Sequence, residues 1–368
     1  ARGLGLPRTR PVNTLLLVPP DTVPSGGNVY GRRLAEALTT LGRPVHRTVV
    51  PGEWPRAGTD EHAGLSRVLA RAPDDAAVIL DGLLACGVPE VVLPHAPRLR
   101  LVVLVHLPLA EGGGLSPAEA RDLDERERLV LHAARDVVAT SRWSARRVGD
   151  HHGLDRVHVV EPGVDPAPLT PAGDGTRMLC LAAVTPHKGH DLLLSALADL
   201  GDLEWECTCA GPLGDLSAQE GKAAAYAEHL RTLCREYGLR DRVSFPGPLR
   251  GRALQEAYSR ADLLVLPSRK ETYGMVVAEA LAHGVPVVAG GVGGVPEALG
   301  HDTHGRRPGL LVPPEDPAAL AEALRRWLTD ADLRGRLRRS ARLRRGRLRG
   351  WECAARDMAA ILDRKEPG

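Results

Sequence analysis

The most informative part of this sequence is Val265-Leu-Pro-Ser-Arg-Lys-Glu-Thr-Tyr-Gly-Met-Val-Val-Ala-Glu-Ala-Leu-Ala-His-Gly-Val-Pro-Val-Val-Ala289. It begins with the end of an apolar run, at Leu266, and it closes on a second apolar run, so a buried strand is predicted at each end. Between them a polar loop carries Glu271, Gly274 permits a close approach of the backbone, and a helix is predicted to begin around Met275. Strand, loop, helix and strand in this order are typical of a parallel sheet.

The start of the predicted helix also offers a chemical function. Free backbone amides at a helix N-terminus bind anions, and a diphosphate suits them. Glu279 lies inside the helix among apolar residues, where a carboxylate needs hydrogen-bond donors such as the vicinal hydroxyls of a sugar. Glu271 in the loop could bind a second sugar in the same way. An acid pair alone could simply complement the helix dipole, but the whole stretch favours a nucleotide sugar, with one sugar on each acid and the diphosphate on the amides.

Short apolar strands alternate with helical patterns along the rest of the chain. The predicted strands are Thr14–Val18, Val45–Val50, Ala77–Leu80, Leu101–Val105, Val137–Ala139, Val157–Val160, Met178–Ala182, Trp205–Ala210, Val243–Phe245, Leu263–Leu266, Val287–Ala289 and Leu310–Val312. Residues 161–175 are rich in Pro and Gly and predict a linker between two sets of strands. We therefore predict an α/β protein with two Rossmann-like, doubly wound parallel-sheet domains that face each other across a cleft.

Length and composition exclude several classes of protein. The 368 residues are 43% hydrophobic and 26% charged, which is typical of a globular enzyme, and the net charge of +2 gives no general attraction to nucleic acid. The apolar runs are too short for a transmembrane helix, and the first residues lack the apolar core of a secretory signal. A cytoplasmic location is therefore expected, with all six cysteines reduced.

Arginine is unusually frequent. The chain has 44 arginines and four lysines, a bias typical of a GC-rich bacterial genome. Residues 334–349 hold nine of these arginines, with leucines between them. This stretch allows a weak association with an anionic membrane surface, but a solvated helix face is the interpretation that we favour, because aromatic residues are absent there.

Motifs of other enzyme classes and of metal sites are missing. The sequence contains no G-x-G-x-x-G, Walker A, H-E-x-x-H or G-x-S-x-G pattern. The Asp-x-Asp patterns lie in charged helical stretches, and the histidine pairs lack cysteines or carboxylates at ligand spacing, so no metal site is predicted. These patterns are Asp122/Asp124, Asp330/Asp332, His151/His152, His187/His190 and His301/His304.

Over nearly its whole length the chain resembles the retaining GT-B glycosyltransferases of family four. The strongest match is Pro267–Leu281, which is similar to the Glu-x7-Glu signature of that family. Other stretches match in the same order along the chain. They are Pro24–Asn28, the histidine loop at Val105–Pro108, the Lys-Gly loop at Thr185–Asp191, the segment bordering the nucleobase at Val243–Leu249, Gly290–Glu297, and the last helix from Trp351 onward.

The resemblance implies roles for individual residues. Lys188 would neutralise the departing diphosphate, Glu271 would contact the donor hexose, and His106 would face the reacting sugar, so these three are the predicted catalytic residues. The implied donor-binding residues are Gly26, Gly27, Pro248, Leu249, Gly274, Met275, Val276 and Glu279.

The resemblance also implies a division of labour between domains. Residues 1–168, with a crossover helix at 350–368, would bind the acceptor, and residues 169–349 would bind the nucleotide sugar. The implied reaction moves a hexosyl group from a UDP- or GDP-sugar to an acceptor hydroxyl with retention, without a metal or other cofactor. The acceptor and the oligomeric state are left open. A GT-B sugar phosphorylase and a non-catalytic nucleotide-sugar-binding protein are the alternatives.

One position departs from the family's pattern. Many members have a Gly-Arg pair a few residues before the lysine, whereas this chain has Ala182 and Ala183 there. One cation expected at the phosphates is thus missing. The residues that could replace it are Arg142, Arg250, Arg269 and Lys270.

Overall fold

The structure, a computed structural model, describes residues 14–21, 25–112, 115–212 and 220–364. These residues form two parallel six-stranded sheets flanked by helices. The predicted fold class is confirmed, and each of the twelve predicted strands is present to within a residue or two of its expected ends. The strands could be located because both faces of such a sheet are covered, which leaves near-continuous apolar runs in the sequence.

The first sheet has the strand order β2-β1-β3-β4-β5-β6. Its strands are β1 (Thr14–Val18), β2 (Val45–Val49), β3 (Ala77–Asp81), β4 (Arg100–Val105), β5 (Asp136–Ala139) and β6 (His158–Val159). The helices of this part are α1 (Gly26–Thr40), α2 (Thr59–Arg71), α3 (Gly82–Ala85), α4 (Pro89–Val92), α5 (Pro117–Ala133) and α6 (Arg142–His152). Serine side chains cap several of them; Ser25 accepts a hydrogen bond at the start of α1 and Ser141 at the start of α6.

The second sheet has the strand order β12-β11-β10-β7-β8-β9. Its strands are β7 (Arg177–Leu181), β8 (Glu206–Ala210), β9 (Val243–Gly247), β10 (Leu263–Leu266), β11 (Val287–Gly290) and β12 (Gly309–Val312). The remaining helices are α7 (His190–Ala198), α8 (Glu220–Glu236), α9 (Gly251–Arg260), α10 (Met275–Ala282), α11 (Val295–Leu299), α12 (Pro317–Thr329), α13 (Ala331–Arg345) and α14 (Trp351–Leu362). In both sheets the loops that follow the strands meet at one edge, where open α/β sheets bind ligands.

The last helix, α14, packs against the first sheet although it follows the second sheet in sequence. Its residues Trp351, Ala355 and Met358 lie in the same buried cluster as Leu34 of α1. The hydroxyl of Tyr30 in α1 donates a hydrogen bond to the carbonyl of Val160 at 2.9 Å, and its ring meets that of Trp351 edge to face. The chain therefore crosses between the two sheets twice.

The arginine-rich stretch is largely engaged within the fold. Arg338 donates to the buried carboxylate of Asp262 at 2.9 Å. Several other arginines of this stretch donate to backbone carbonyls; they are Arg334, Arg344, Arg345 and Arg347. The expected solvated face is therefore wrong for the half-buried Arg334, Arg338 and Arg345, whose guanidinium groups tie α13 to neighbouring segments. It holds for Arg336, Arg339 and Arg342, which are exposed.

Two further expectations concern cysteines and membrane spans. All six cysteines are free thiols, and only Cys353 is not buried. Among the described helices, none combines the length and the apolar character needed to cross a bilayer.

Candidate active site

The site is built around the start of α10. Gly274 precedes this helix with a φ of 90°, a left-handed conformation that favours glycine. No described side chain caps the helix, and its first turn contains no acidic residue. The amides of Met275 and Val276 are therefore left without a side-chain cap or an acid from the helix itself and present its positive end, as the sequence predicts for a phosphate site.

Two of the predicted catalytic residues meet in front of this helix. Lys188 ends a short 3₁₀ turn after β7, and its Nζ donates to Oε1 of Glu271 at 2.6 Å. The hydroxyl of Ser268 donates to the same oxygen at 3.1 Å. Both partners of the ion pair are mostly buried, with side chains 20% and 12% exposed. The pair thus fixes a carboxylate and an ammonium group next to the helix N-terminus.

The loops carrying these residues are held together by close backbone packing. Gly189, directly after Lys188, has a φ of 71°. A Cβ at this position would lie 2.2 Å from the carbonyl oxygen of Pro267. Only glycine fits there, and this requirement explains the glycine of the Lys-Gly pair in physical terms.

Glu279 lies about one turn inside α10, partly buried. The hydroxyl of Tyr258 donates to its Oε2 at 2.7 Å. Burial raises the pKa of Glu279 above its usual value, and the hydrogen bond from Tyr258 opposes that shift. The Tyr258 ring stacks on that of His283, with centroids 4.7 Å apart. Neither ring was found by sequence reasoning, since an isolated tyrosine in an amphipathic helix carries no signal of its partner.

The third predicted catalytic residue, His106, follows β4 in the other half of the molecule. Its Nε2 lies 3.5 Å from Oδ2 of Asp81. Asp81 also accepts a hydrogen bond from the amide of Leu83 and so caps α3. Burial lowers the pKa of His106, although the nearby Asp81 carboxylate opposes this. Sequence reasoning missed Asp81; an acid that closes the apolar run Ala-Val-Ile-Leu was the available signal.

The predicted glycines of the first half lie against these groups. A Cβ on Gly27 would be 3.2 Å from Cδ2 of His106, and one on Gly26 would be 3.7 Å from Sδ of Met275. Met275 packs against the apolar clusters of both halves. The start of α1, the His106 loop and the start of α10 are therefore neighbours.

A second contact joins the two halves at the start of α6. Oε1 and Oε2 of Glu297 accept hydrogen bonds from the amides of Trp143 at 2.7 Å and Arg142 at 2.9 Å. The hydroxyl of Ser141 donates to the carbonyl of Thr272, next to Glu271, at 2.6 Å. These contacts of Glu297 were not predicted, because the donors are backbone groups about 155 positions away in sequence.

The remaining predicted residues are less closely grouped. Pro248 is exposed between β9 and α9. Leu249 is half-buried and packs against the cluster that contains Tyr258. The segment thereby lies on the same side of the second sheet as the Tyr258 and Glu279 pair.

The candidates for the missing phosphate cation differ in availability. Arg269 forms two hydrogen bonds to Asp191, at 2.8 and 2.7 Å, which raise the pKa of its guanidinium and occupy it. Lys270 lies 3.9 Å from Glu111 and is half exposed. Arg142 and Arg250 are exposed. Lys188 is therefore the cation most closely integrated into the site.

The chain is similar to known proteins in both sequence and fold. Residues 165–344 match the family described as glycosyl transferases group 1. A D-inositol 3-phosphate glycosyltransferase of Salinispora tropica is 34% identical over 302 residues, covering 75% of this chain and 59% of the relative. The enzyme of the same name from Xylanimonas cellulosilytica is 34% identical over 289 residues, covering 71% and 66%.

The chain belongs to the GT-B glycosyltransferases of family four. It spans less than two thirds of the length of these two curated relatives.

Solved structures share the GT-B fold over almost the whole chain. Anabaena Alr3699/HepE, in complex with UDP and glucose, superposes with a TM-score of 0.75 at 19% identity, over 96% of this chain and 100% of that one. Sucrose-phosphate synthase from Thermosynechococcus elongatus gives a TM-score of 0.73 at 21% identity, over 95% and 98%. The family-four assignment thus agrees with both the sequence and the fold.

Proposed function

We propose that this family-four chain transfers a hexosyl group from a UDP- or GDP-sugar to an acceptor hydroxyl, with retention at the anomeric carbon and without a catalytic metal. The observation that carries the proposal is the 2.6 Å pair between Lys188 and Glu271 beside the uncapped start of α10. An ammonium group and free helix amides at one point suit a diphosphate. A carboxylate beside them suits the hydroxyls of a sugar.

The donor would bind along this line of groups. The diphosphate would take the amides of Gly274, Met275 and Val276 and share Lys188 with Glu271. The ribose would donate hydrogen bonds to Glu279, whose burial makes such donors valuable. Glu271 would receive the hydroxyls of the hexose.

The proposed reaction begins with the bond between the anomeric carbon and the diphosphate oxygen. As this bond breaks, its electron pair goes to the diphosphate, which Lys188 and the α10 amides stabilise, and the sugar gains oxocarbenium character. The acceptor hydroxyl attacks from the same face and gives its proton to the departing phosphate oxygen. Fixed positive groups would thereby take over the usual task of a metal ion. His106, kept neutral by its lowered pKa, would lie beside the sugar as a hydrogen-bonding group.

The first substrates to test follow from the comparisons. HepE has been solved in complex with UDP and glucose and with UDP-glucose, so uridine is the first base to examine. The curated relatives are named for D-inositol 3-phosphate, so a phosphorylated cyclitol is the first acceptor.

A ligand screen separates the proposal from its alternatives. Thermal unfolding is followed with UDP, GDP, ADP, dTDP and NAD, each with and without EDTA. The unfolding temperature should rise with one of the diphosphates, and the rise should persist in EDTA, because a ligand that binds only the folded state stabilises it. If none of the nucleotides raised the unfolding temperature, the proposal would be contradicted. Turnover with inorganic phosphate but no nucleotide would favour a phosphorylase.

Turnover then separates an enzyme from a binding protein. UDP release from the preferred donor should be lost in Glu271→Ala while UDP still binds. The control is Arg231→Ala, which removes an exposed cation paired with Glu228 of the same helix and should keep its activity. Nucleotide binding without any release by the wild type would support the non-catalytic alternative.

A further inference from the structure

Three potential metal ligands meet between α5 and α6. Asp124 lies in the middle of α5, and His151 and His152 are the last two residues of α6. A carboxylate oxygen of Asp124 and one ring nitrogen of each histidine all lie within 4.8 Å of one another. The sequence expectation that this histidine pair has no carboxylate partner is therefore wrong, because the partner comes from another helix.

We propose that Asp124, His151 and His152 form a zinc site. The histidine nitrogens and a carboxylate oxygen are typical zinc ligands, whereas calcium and magnesium prefer oxygen ligands alone. Three protein ligands leave one tetrahedral position open. A cavity of about 250 Å³, lined by Asp124 and His151 among others, borders the cluster and has room for a water molecule at that position.

His152 supplies the independent observation. Its side chain is only 1% exposed, and its Nε2 lies 3.2 Å from Oε2 of Glu127, which is equally buried. Its Nδ1 is also buried and has no hydrogen-bond partner among the residues that the structure describes. Buried polar atoms are normally satisfied, so this nitrogen calls for a partner. A zinc ion would be that partner, and a carboxylate on the other ring nitrogen is the usual support of a zinc-bound histidine.

The remaining two ligands already face each other. Nε2 of His151 lies 2.5 Å from Oδ1 of Asp124, and the rings of His151 and His152 meet at 4.6 Å between centroids. The pair is partly exposed, so zinc can reach it from solvent. Both helices contribute to one buried cluster, with Val130 from α5 and Val148 from α6, so the two ligands project from elements fixed by the core.

The proposed site is connected to the loop that follows His106. Glu127 accepts hydrogen bonds from the amide of Leu109, and the cavity beside the cluster is bordered by Pro108 and Ala110. A zinc ion would thus fix α5, α6 and this loop together. The site lies outside the proposed reaction centre, so it requires no metal in sugar transfer.

Zinc binding can be measured directly on the full chain. The protein, freed of any affinity tag and stripped with a chelator, is dialysed against zinc chloride, and bound zinc is measured by mass spectrometry. The wild type should retain one zinc ion per chain, and Asp124→Asn and His151→Ala should retain none. The matched control is His301→Ala, which removes an exposed histidine far from the cluster in sequence and should behave as the wild type.

Cobalt and thermal unfolding provide the second readout. Cobalt(II) in the wild type should give the visible absorption bands of a tetrahedral nitrogen and oxygen site, and zinc should raise its unfolding temperature, but neither effect should occur in Asp124→Asn. Glu127→Gln should weaken zinc binding about tenfold through loss of the support to His152. Equal zinc retention by wild type and Asp124→Asn, or none by the wild type, would overturn the proposal. Nucleotide binding is measured separately, so failure here leaves the proposed transferase untouched.

Discussion

Replacing Glu297 by Gln should loosen the contact between the two halves of the molecule at the start of α6. Both carboxylate oxygens of Glu297 are used there, at 2.7 and 2.9 Å from the amides of Trp143 and Arg142. Gln keeps one carbonyl acceptor but loses the charge and the second acceptor. The amides themselves stay in place, because Ser141 still caps the helix.

The magnitude follows from the exposure of the two amides. A hydrogen bond to a charged group contributes about 1.5–3 kcal/mol when desolvated, but Arg142 is exposed, so water can replace its partner. The interaction of a carboxylate with a helix N-terminus contributes about 0.3–1 kcal/mol at exposed positions. We expect Glu297→Gln to cost about 1 kcal/mol and Glu297→Ala about 2 kcal/mol, which correspond to about 5-fold and 30-fold in the population of the open contact.

Hydrogen exchange measures this contact at the amides that form it. In a peptide that covers residues 141–147, exchange should be about fivefold faster in Glu297→Gln and faster still in Glu297→Ala, in line with the costs above. A peptide from β3 should not change. The control Glu322→Gln removes an exposed carboxylate from α12 and should match the wild type throughout. Unchanged exchange at 141–147 in Glu297→Ala would refute the reasoning.

Three further predictions concern the site residues themselves. Lys188→Ala should lower kcat for UDP release about 10²–10³-fold, as expected for loss of a fixed group that stabilises developing charge. The control Arg231→Ala, at an exposed cation of α8, should not lower it. Similar losses in both variants would contradict the assignment. In urea denaturation, Gly189→Ala should reduce the free energy of unfolding by about 2 kcal/mol or more. The left-handed backbone at this position and the nearby carbonyl of Pro267 both exclude a Cβ. The control is Gly201→Ala, whose Cβ would meet nothing closer than 3.9 Å. By NMR, the pKa of the His106 ring should lie below its ordinary value of 6.5. The unfolded chain then binds this proton more tightly than the folded chain, so the folded state should lose stability as the pH falls below 6.5. A pKa above 6.5 would show that burial does not dominate.

The strands and the loop before α10 were predictable because their signals are local. Apolar runs define β3, β4 and β10, and the glycine and acids around Gly274 lie within 25 residues of one another. The same holds for the position of Lys188 before Gly189. The resemblance implied catalytic roles for Lys188 and Glu271. The structure adds a direct hydrogen bond between these two residues, which lie 83 positions apart.

The partners of the buried polar groups could not be predicted in this way. Glu279 receives its hydrogen bond from a tyrosine on α9, and His106 meets an acid at the end of another strand. Such contacts depend on how helices and loops are packed, which no periodicity in the sequence specifies. For the same reason the sequence did not predict that Asp124 and His151 are neighbours, since they meet only because α5 packs beside α6.

Calorimetric titration of UDP in the presence of EDTA tests the central claim most directly. The wild type should bind one UDP per chain, and both Lys188→Ala and Glu279→Ala should bind it more weakly, because each removes a proposed contact to the nucleotide. Arg231→Ala, which removes an exposed cation of α8, should bind as the wild type. If the wild type bound neither UDP nor GDP, or if Lys188→Ala and Glu279→Ala both retained full affinity, the nucleotide-sugar site at α10 would be wrong.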